Sequence, residues 1–193
     1  MHKLYESIFY MLPPGKRIRR LIYSYPRREK VADLGCGAGT SSYYLSSIAG
    51  RVVGIDIDGD KVKTAGKLHT GIEFYCMDAS RTDFSDGEFD TAFMIMMLHE
   101  AYTDRLIAEV CRIAGEVAVI DYSRILYGLT GKLIRAIEGD KFESYAGVNL
   151  KLKFSEHGFS LRESRSIYSN FFMHVFTRGK SSKTNVVNLI QNR

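Results

Sequence analysis

The sequence predicts an α/β fold: a doubly wound, mostly parallel seven-stranded sheet that ends in a C-terminal antiparallel hairpin. Three observations predict it. From Lys30 to Asp121, short apolar runs rich in β-branched residues alternate with helix-length segments. That alternation is the signature of βαβ units with a parallel sheet covered on both faces. A glycine-rich stretch joins the first run to the first helical segment. The last two apolar runs are separated only by Ser169-Asn170, too short a link for a helix, so they form a hairpin.

The elements follow in order. Before residue 30 no strand is expected. Pro13-Pro14-Gly15 separates two helical pieces, since proline is tolerated in a helix only at its first turn. The second piece sets Ile18, Leu21, Ile22 and Tyr25 on one stripe, ringed by Arg17, Arg19 and Arg20. This basic amphipathic helix suits a lid, a membrane-surface element or a packed helix with solvated arginines. Strands are expected at 31–34, 52–57, 72–77, 91–98 and 117–120, and helices between them at 40–49, 60–69 and 103–113. In the last of these, Leu106, Ile107, Val110 and Ile113 share one helical face. After Asp121 come helical stretches at 126–137, with a break near Gly131, and at 149–157. Strands at 161–168 and 171–177 close the fold. The organisation is a basic helical cap (1–29), one domain (30–179) and a tail (180–193).

Composition narrows the function classes. Hydrophobic residues make up 45% of the 193 and charged residues 25%, which excludes a disordered or collagen-like chain. The longest apolar run, 92–98, is far short of the ~20 residues of a membrane span. Cys36, Cys76 and Cys111 form neither a disulfide framework nor a C-x-x-C metal pair, and no secretory signal pattern is seen, so a cytoplasmic setting is expected. The net charge of +5 is unevenly placed: residues 1–30 carry +6, 31–177 carry −5 and 178–193 carry +4. Basic ends suit an anionic partner, including an RNA backbone or a peripheral membrane contact.

The most informative stretch is Asp33-Leu34-Gly35-Cys36-Gly37-Ala38-Gly39-Thr40. Glycines there let the backbone approach a ligand and adopt conformations closed to other residues. Asp56 ends the second strand 17 residues after Gly39, where a carboxylate can accept both hydroxyls of a ribose. The nicotinamide fingerprint G-x-G-x-x-G/A fails in both registers, because Thr40 or Ser42 stands at the final position. Asp33 beside the loop suits a ligand with an amino group and no pyrophosphate. A calcium loop at 56–60 is excluded, because Gly59 comes too early and no Glu follows at the twelfth position.

This combination resembles the class I S-adenosylmethionine-dependent methyltransferases. Asp33, Gly35, Gly37 and Gly39 match their first motif, and Asp56 in Val-Val-Gly-Ile-Asp matches the second. Met77-Asp78-Ala79 is similar to their third region, and Phe89-Asp90 and the passage from Glu109 into the fifth strand are also similar. The resemblance implies a Rossmann-like methyltransferase fold and S-adenosyl-L-methionine as cofactor. It implies cofactor contacts at Asp33, Gly35, Cys36, Gly37, Gly39, Asp56, Ile57, Asp78, Ala79 and Met94.

The stretch after strand four, Met94 to Glu100, faces the acceptor in such enzymes. It lacks Asn/Asp-Pro-Pro-Tyr, and no Pro-Cys pair occurs, which lowers a nucleic-acid reading. Its Leu-His-Glu ending is similar to small-molecule methyltransferases, including those of quinone biosynthesis. His99 is the candidate catalytic base, because imidazole titrates near neutrality. Glu100 either orients it or favours the next helix N-terminus. Asp121 and Tyr122 end strand five at the same sheet edge and are placed to line the acceptor pocket. The other histidines show no metal-ligand spacing, so no metal is expected. Residues 1–29 and 122–150, with Tyr127, Phe142 and Tyr145, are lid candidates. The acceptor expected is a small molecule, anionic or lipid-like. An RNA methyltransferase and a non-catalytic cofactor-binding module stay open as alternatives, and oligomeric state is not readable.

Overall fold

A computed structural model describes residues 10–123, 126 and 128–179. The tail at 180–193, the first nine residues and Tyr127 lie outside the described residues. The sheet has seven strands in the order β3-β2-β1-β4-β5-β7-β6. These are β1 Arg28–Leu34, β2 Ala49–Asp56, β3 Glu73–Cys76, β4 Phe89–Ile95, β5 Ala114–Tyr122, β6 Phe159–Tyr168 and β7 Phe171–Arg178. The first five run parallel, and β7 enters antiparallel between β5 and β6. The chain order reverses between β1 and β4, and ligands bind beyond the strand ends at such a point.

The central strands are apolar on both faces, because helices cover both. Val31, Ala32 and Leu34 of β1 and Ala92, Phe93 and Met94 of β4 are all buried. The helices are α1 Pro13–Ser24, α2 Thr40–Leu45, α3 Gly59–Leu68, α4 Leu98–Ala101, α5 Asp104–Ile113, α6 Gly128–Ala146 and α7 Leu150–Ser155. In α5, Leu106, Ile107, Val110 and Ile113 are buried as the periodicity predicts. The Thr103 hydroxyl caps that helix by accepting from Leu106 N–H. Asp58 caps α3 by accepting from Asp60 and Lys61 N–H. α7 docks through Phe154, whose ring stacks on Phe176 of β7 with centroids 4.0 Å apart.

Four expectations on element bounds are corrected. β1 begins at Arg28, where no strand was expected, and Arg28 pairs with Ala49. The arginine is tolerated because Glu116 and Thr91 take its guanidinium at 2.8 and 2.9 Å. The first helix stops at Leu45, because Ala49 is already needed for β2. β4 ends at Ile95, three residues early: Met96 turns out of the sheet with φ 55°, and α4 follows. The break in α6 lies at Gly139 (φ 56°, ψ −136°), while Gly131 is helical.

α1 is part of the body rather than a loose appendage. Ile18 and Ile22 are fully buried in the common core. Below it the Tyr25 hydroxyl donates to Glu116 at 2.5 Å, and Arg162 of β6 and Arg28 reach the same carboxylate. Glu116 thus ties together the cap, β1, β5 and β6. β6 is the outer strand and is irregular, with register shifts at 161–163 and 166–168.

Candidate active site

The C-terminal ends of β1, β2, β4 and β5 open into a cavity of about 980 Å³. Its first wall is the loop after β1. Gly35, Gly37 and Gly39 all have positive φ (71°, 55° and 88°), a region that side chains disfavour. A Cβ on Gly35 would come within 2.6 Å of Met97 across the cavity floor. The loop is held in place by the next strand. Cys36 N–H donates to Ile55 O, and Gly37 N–H donates to Asp56 Oδ2, both at 2.9 Å. Asp56 Oδ1 accepts from Asp58 N–H at 2.9 Å. Its carboxylate is therefore oriented at the cavity wall by two N–H donors.

Of the cofactor residues expected from sequence, Gly35, Cys36, Gly37, Asp56, Ile57, Asp78 and Ala79 line this cavity. Asp33, Gly39 and Met94 do not. Asp33 is buried beneath the loop, where its Oδ2 accepts the Ser41 and Ser42 hydroxyls at 2.6 Å each. It braces the start of α2 from below. Gly39 stands behind the wall, and a Cβ there would meet His69 and Phe74 at 2.8 and 2.9 Å. Met94 is buried in β4. Asp78 accepts from Ser80 N–H at 2.8 Å, and the Ser80 backbone and hydroxyl together hold its carboxyl below the ordinary range. The sequence reading named none of Tyr10, Lys61, Ile137 and Glu138 on the lining, although its lid candidates 1–29 and 122–150 contain all of them but Lys61. Phe142 and Tyr145, expected on a lid, are instead fully buried side chains of α6 itself.

The residues present fit S-adenosylmethionine. Gly35 and Gly37 admit close backbone approach, Asp56 presents an oriented carboxylate suited to a ribose, and Asp78 and Ala79 line the same cavity.

His99, on α4 shortly after the Met96 turn, lines the same cavity. It is 3% exposed. Its Nδ1 lies 2.6 Å from Oδ1 of Asp121, which is fully buried at the end of β5. Asp121 also accepts from Leu98, His99 and Tyr122 N–H at 2.8, 3.2 and 2.7 Å. Four donors fix this carboxylate, and it in turn fixes the imidazole. With Nδ1–H donated to Asp121, the neutral ring carries its lone pair on Nε2. Nε2 lies 3.8 Å from Glu100 Oε1 and 3.8 Å from Glu138 Oε2. The Tyr122 ring packs edge-on to the imidazole with centroids 4.6 Å apart. Burial lowers the affinity of His99 for its proton, but the hydrogen bond and charge of Asp121, with Glu138 and Glu100, outweigh it and raise the pKa. Orientation of His99 thus falls to Asp121, and Glu100 faces the opposite nitrogen.

The doubly wound sheet with an antiparallel last pair, a glycine loop and an acid closing β2 together define a Rossmann-like methyltransferase architecture. A family model described as a methyltransferase domain matches residues 31–125. The match spans 95 of the 193 residues and identifies a methyltransferase domain there. A cypemycin N-terminal methyltransferase from Streptomyces sp is 29% identical over 96 residues, which cover 49% of this chain and 38% of that protein. An uncharacterized methyltransferase of Synechocystis sp. is 32% identical over 103 residues, 50% of this chain and 48% of that one. The chain thus spans less than half the length of the curated relatives it matches. A SAM-dependent methyltransferase from Aquifex aeolicus shares the fold, with a TM-score of 0.66 and 20% identity over 90% of this chain and 93% of that one. The comparisons reach the class and do not single out a quinone-biosynthesis type.

Proposed function

We propose that this chain transfers a methyl group from S-adenosylmethionine to the amine nitrogen of a small-molecule acceptor. The observation that carries this reading is the charge at the His99 end of the cavity. Glu100 and Glu138 flank Nε2 at 3.8 Å, Asp121 is buried behind the ring, and apart from His99 itself Lys61 is the one basic residue among the described lining residues. Carboxylates at such a site attract an ammonium group and repel an anion. The anionic acceptor expected from the basic ends is therefore not the favoured one. The arginines of α1 do not line this cavity.

The residues divide the work. Asp56, the glycine loop and Asp78 bind and orient the cofactor. When bound, it supplies an activated methyl group with a neutral thioether as leaving group. Glu100 and Glu138 hold the acceptor ammonium, and His99 Nε2 takes its proton, which frees the nitrogen lone pair for attack on the methyl carbon. Asp121 keeps the imidazole in the tautomer that this step needs. Much of the remaining catalysis is proximity.

The test is transfer of labelled methyl into a metabolite extract fractionated into amines, carboxylates and neutral lipids. Label in the amine fraction supports the reading, and label confined to carboxylates overturns it. Binding of cofactor with no label in any fraction favours a non-catalytic module. A second reading, RNA methylation, is favoured by one observation. A groove of about 360 Å³ between α1 and β6 is lined by Arg17, Arg20 and Arg165. It predicts RNA binding that weakens steeply with salt.

A further inference from the structure

We propose that His99, Glu100 and Glu138 form a binding site for a divalent transition-metal ion of the zinc class at the acceptor end of the cavity. One ligand atom from each residue lies within 4.8 Å of the other two. The His99 side chain is 97% buried, yet among the described residues its Nε2 makes no hydrogen bond. The two carboxylate oxygens it faces stand at 3.8 Å, beyond hydrogen-bond reach. That spacing suits an intervening ion. With Zn–N and Zn–O distances of about 2.1 Å, a nitrogen and an oxygen 3.8 Å apart subtend roughly 130° at the metal. Glu100 is more than half exposed, so its rotamers are free to close the rest of the gap.

Two further features favour a transition metal over calcium or magnesium. One donor is an imidazole, which suits zinc, cobalt or nickel, whereas the hard cations prefer oxygen alone. The opposite ring nitrogen is held by a buried carboxylate, the arrangement that fixes tautomer and orientation in metal-bound histidines. Three protein ligands leave a fourth position open toward the cavity, as in sites that take an exogenous ligand. The metal would use the same Nε2 lone pair that proton transfer needs, so ion and ammonium acceptor exclude one another. The metal site itself rests on geometry alone and stands or falls independently of methyl transfer.

The experiment is titration of the full chain with Co²⁺, read by visible absorption, and then with Zn²⁺, read by calorimetry. Wild type should show the spectrum of a low-coordinate Co²⁺ site, and one equivalent of Zn²⁺ should abolish it. Glu138→Gln and Glu100→Gln should each weaken Zn²⁺ binding by more than the roughly tenfold that loss of a supporting partner already costs. Circular dichroism checks that both variants fold. His69, His157 and His174 supply a background for adventitious binding. Binding that neither variant alters, or no Co²⁺ spectrum in wild type, overturns the proposal. Zn²⁺ binding lost in Glu138→Gln upholds it even if S-adenosylmethionine fails to bind, a result that would count only against the cofactor reading.

Discussion

Replacing Asp121 with asparagine tests the arrangement around His99 most sharply. Four N–H groups converge on this buried carboxylate: Leu98 and His99 N–H on Oδ2, Tyr122 N–H and His99 Nδ1 on Oδ1. Asparagine offers one oxygen and one NH2. If the oxygen stays at the Oδ2 position, both α4 amides keep their acceptor and only Tyr122 N–H loses this one. The NH2 then donates to Nδ1, and the imidazole must move its proton to Nε2. The opposite orientation strands two backbone amides instead of one. Losing an acceptor costs about 1–3 kcal/mol per buried donor, so the first orientation wins by about that much. Two consequences follow from the same flip. Stability should fall by about 1–3 kcal/mol in urea denaturation followed by circular dichroism. Nε2 should become a donor, and methyl transfer should drop by about 10²–10⁴, the usual worth of a general base. Histidine ¹⁵N shifts report the tautomer directly. Retention of the Nδ1–H form, or a stability change below about 0.5 kcal/mol, would refute the reasoning.

Other perturbations bear on other parts of the molecule. Gly35→Ala places a methyl 2.6 Å from Met97 at a φ of 71°, so it should cost about 1–2 kcal/mol and weaken S-adenosylmethionine binding in calorimetry. Asp56→Ala should weaken that binding by about tenfold or more, since it removes a charge-assisted acceptor and releases Gly37 N–H from its tether. Tyr25→Phe removes the hydroxyl that donates to Glu116, and a loss of about 1.5–3 kcal/mol is expected in thermal or urea unfolding. Glu109 accepts from Arg112 and from Thr82, and these contacts pull its carboxyl down from 4.5 to about 2. A depressed folded-state value means its stabilisation is complete above pH 4.5 and fades as pH falls toward 2. Glu109→Gln should therefore lower stability at neutral pH and flatten the acid limb of the stability curve.

The parallel core was legible because its elements carry strong periodic signals and caps. Leu106, Ile107, Val110 and Ile113 announce α5, and the Asp56 motif marks the end of β2. Element ends were less legible wherever a distant partner decides them. Arg28 reads as loop until Glu116, 88 residues away, supplies its counter-charge. The glycine-loop side of the cavity was readable because its residues are consecutive or follow strand ends. Asp33 was in the right motif, but its depth beneath Ser41 and Ser42 is a matter of packing that spacing does not reveal. Glu138 was not readable. It stands 3.8 Å from His99 at the residue before the Gly139 break in α6, and a positive φ at one position among many glycines leaves no pattern in the chain. The ligand set proposed for a metal is out of reach of histidine spacing for the same reason, since the two carboxylates come from adjacent and remote positions.

The irregular outer strand has a consequence for how copies of this protein meet. A sheet ends in a row of open backbone donors and acceptors, and a flat ladder of that kind invites another chain to add to it. β6 denies that template. Its two register shifts bend it away from a straight ladder, and Arg162, Glu163 and Arg165 put charge along it. At the opposite margin β3 has only four residues, too short to seed much pairing. Edge-to-edge growth is thus blocked at both margins of the sheet, and concentrated samples should resist fibrillar aggregation unless β6 is straightened.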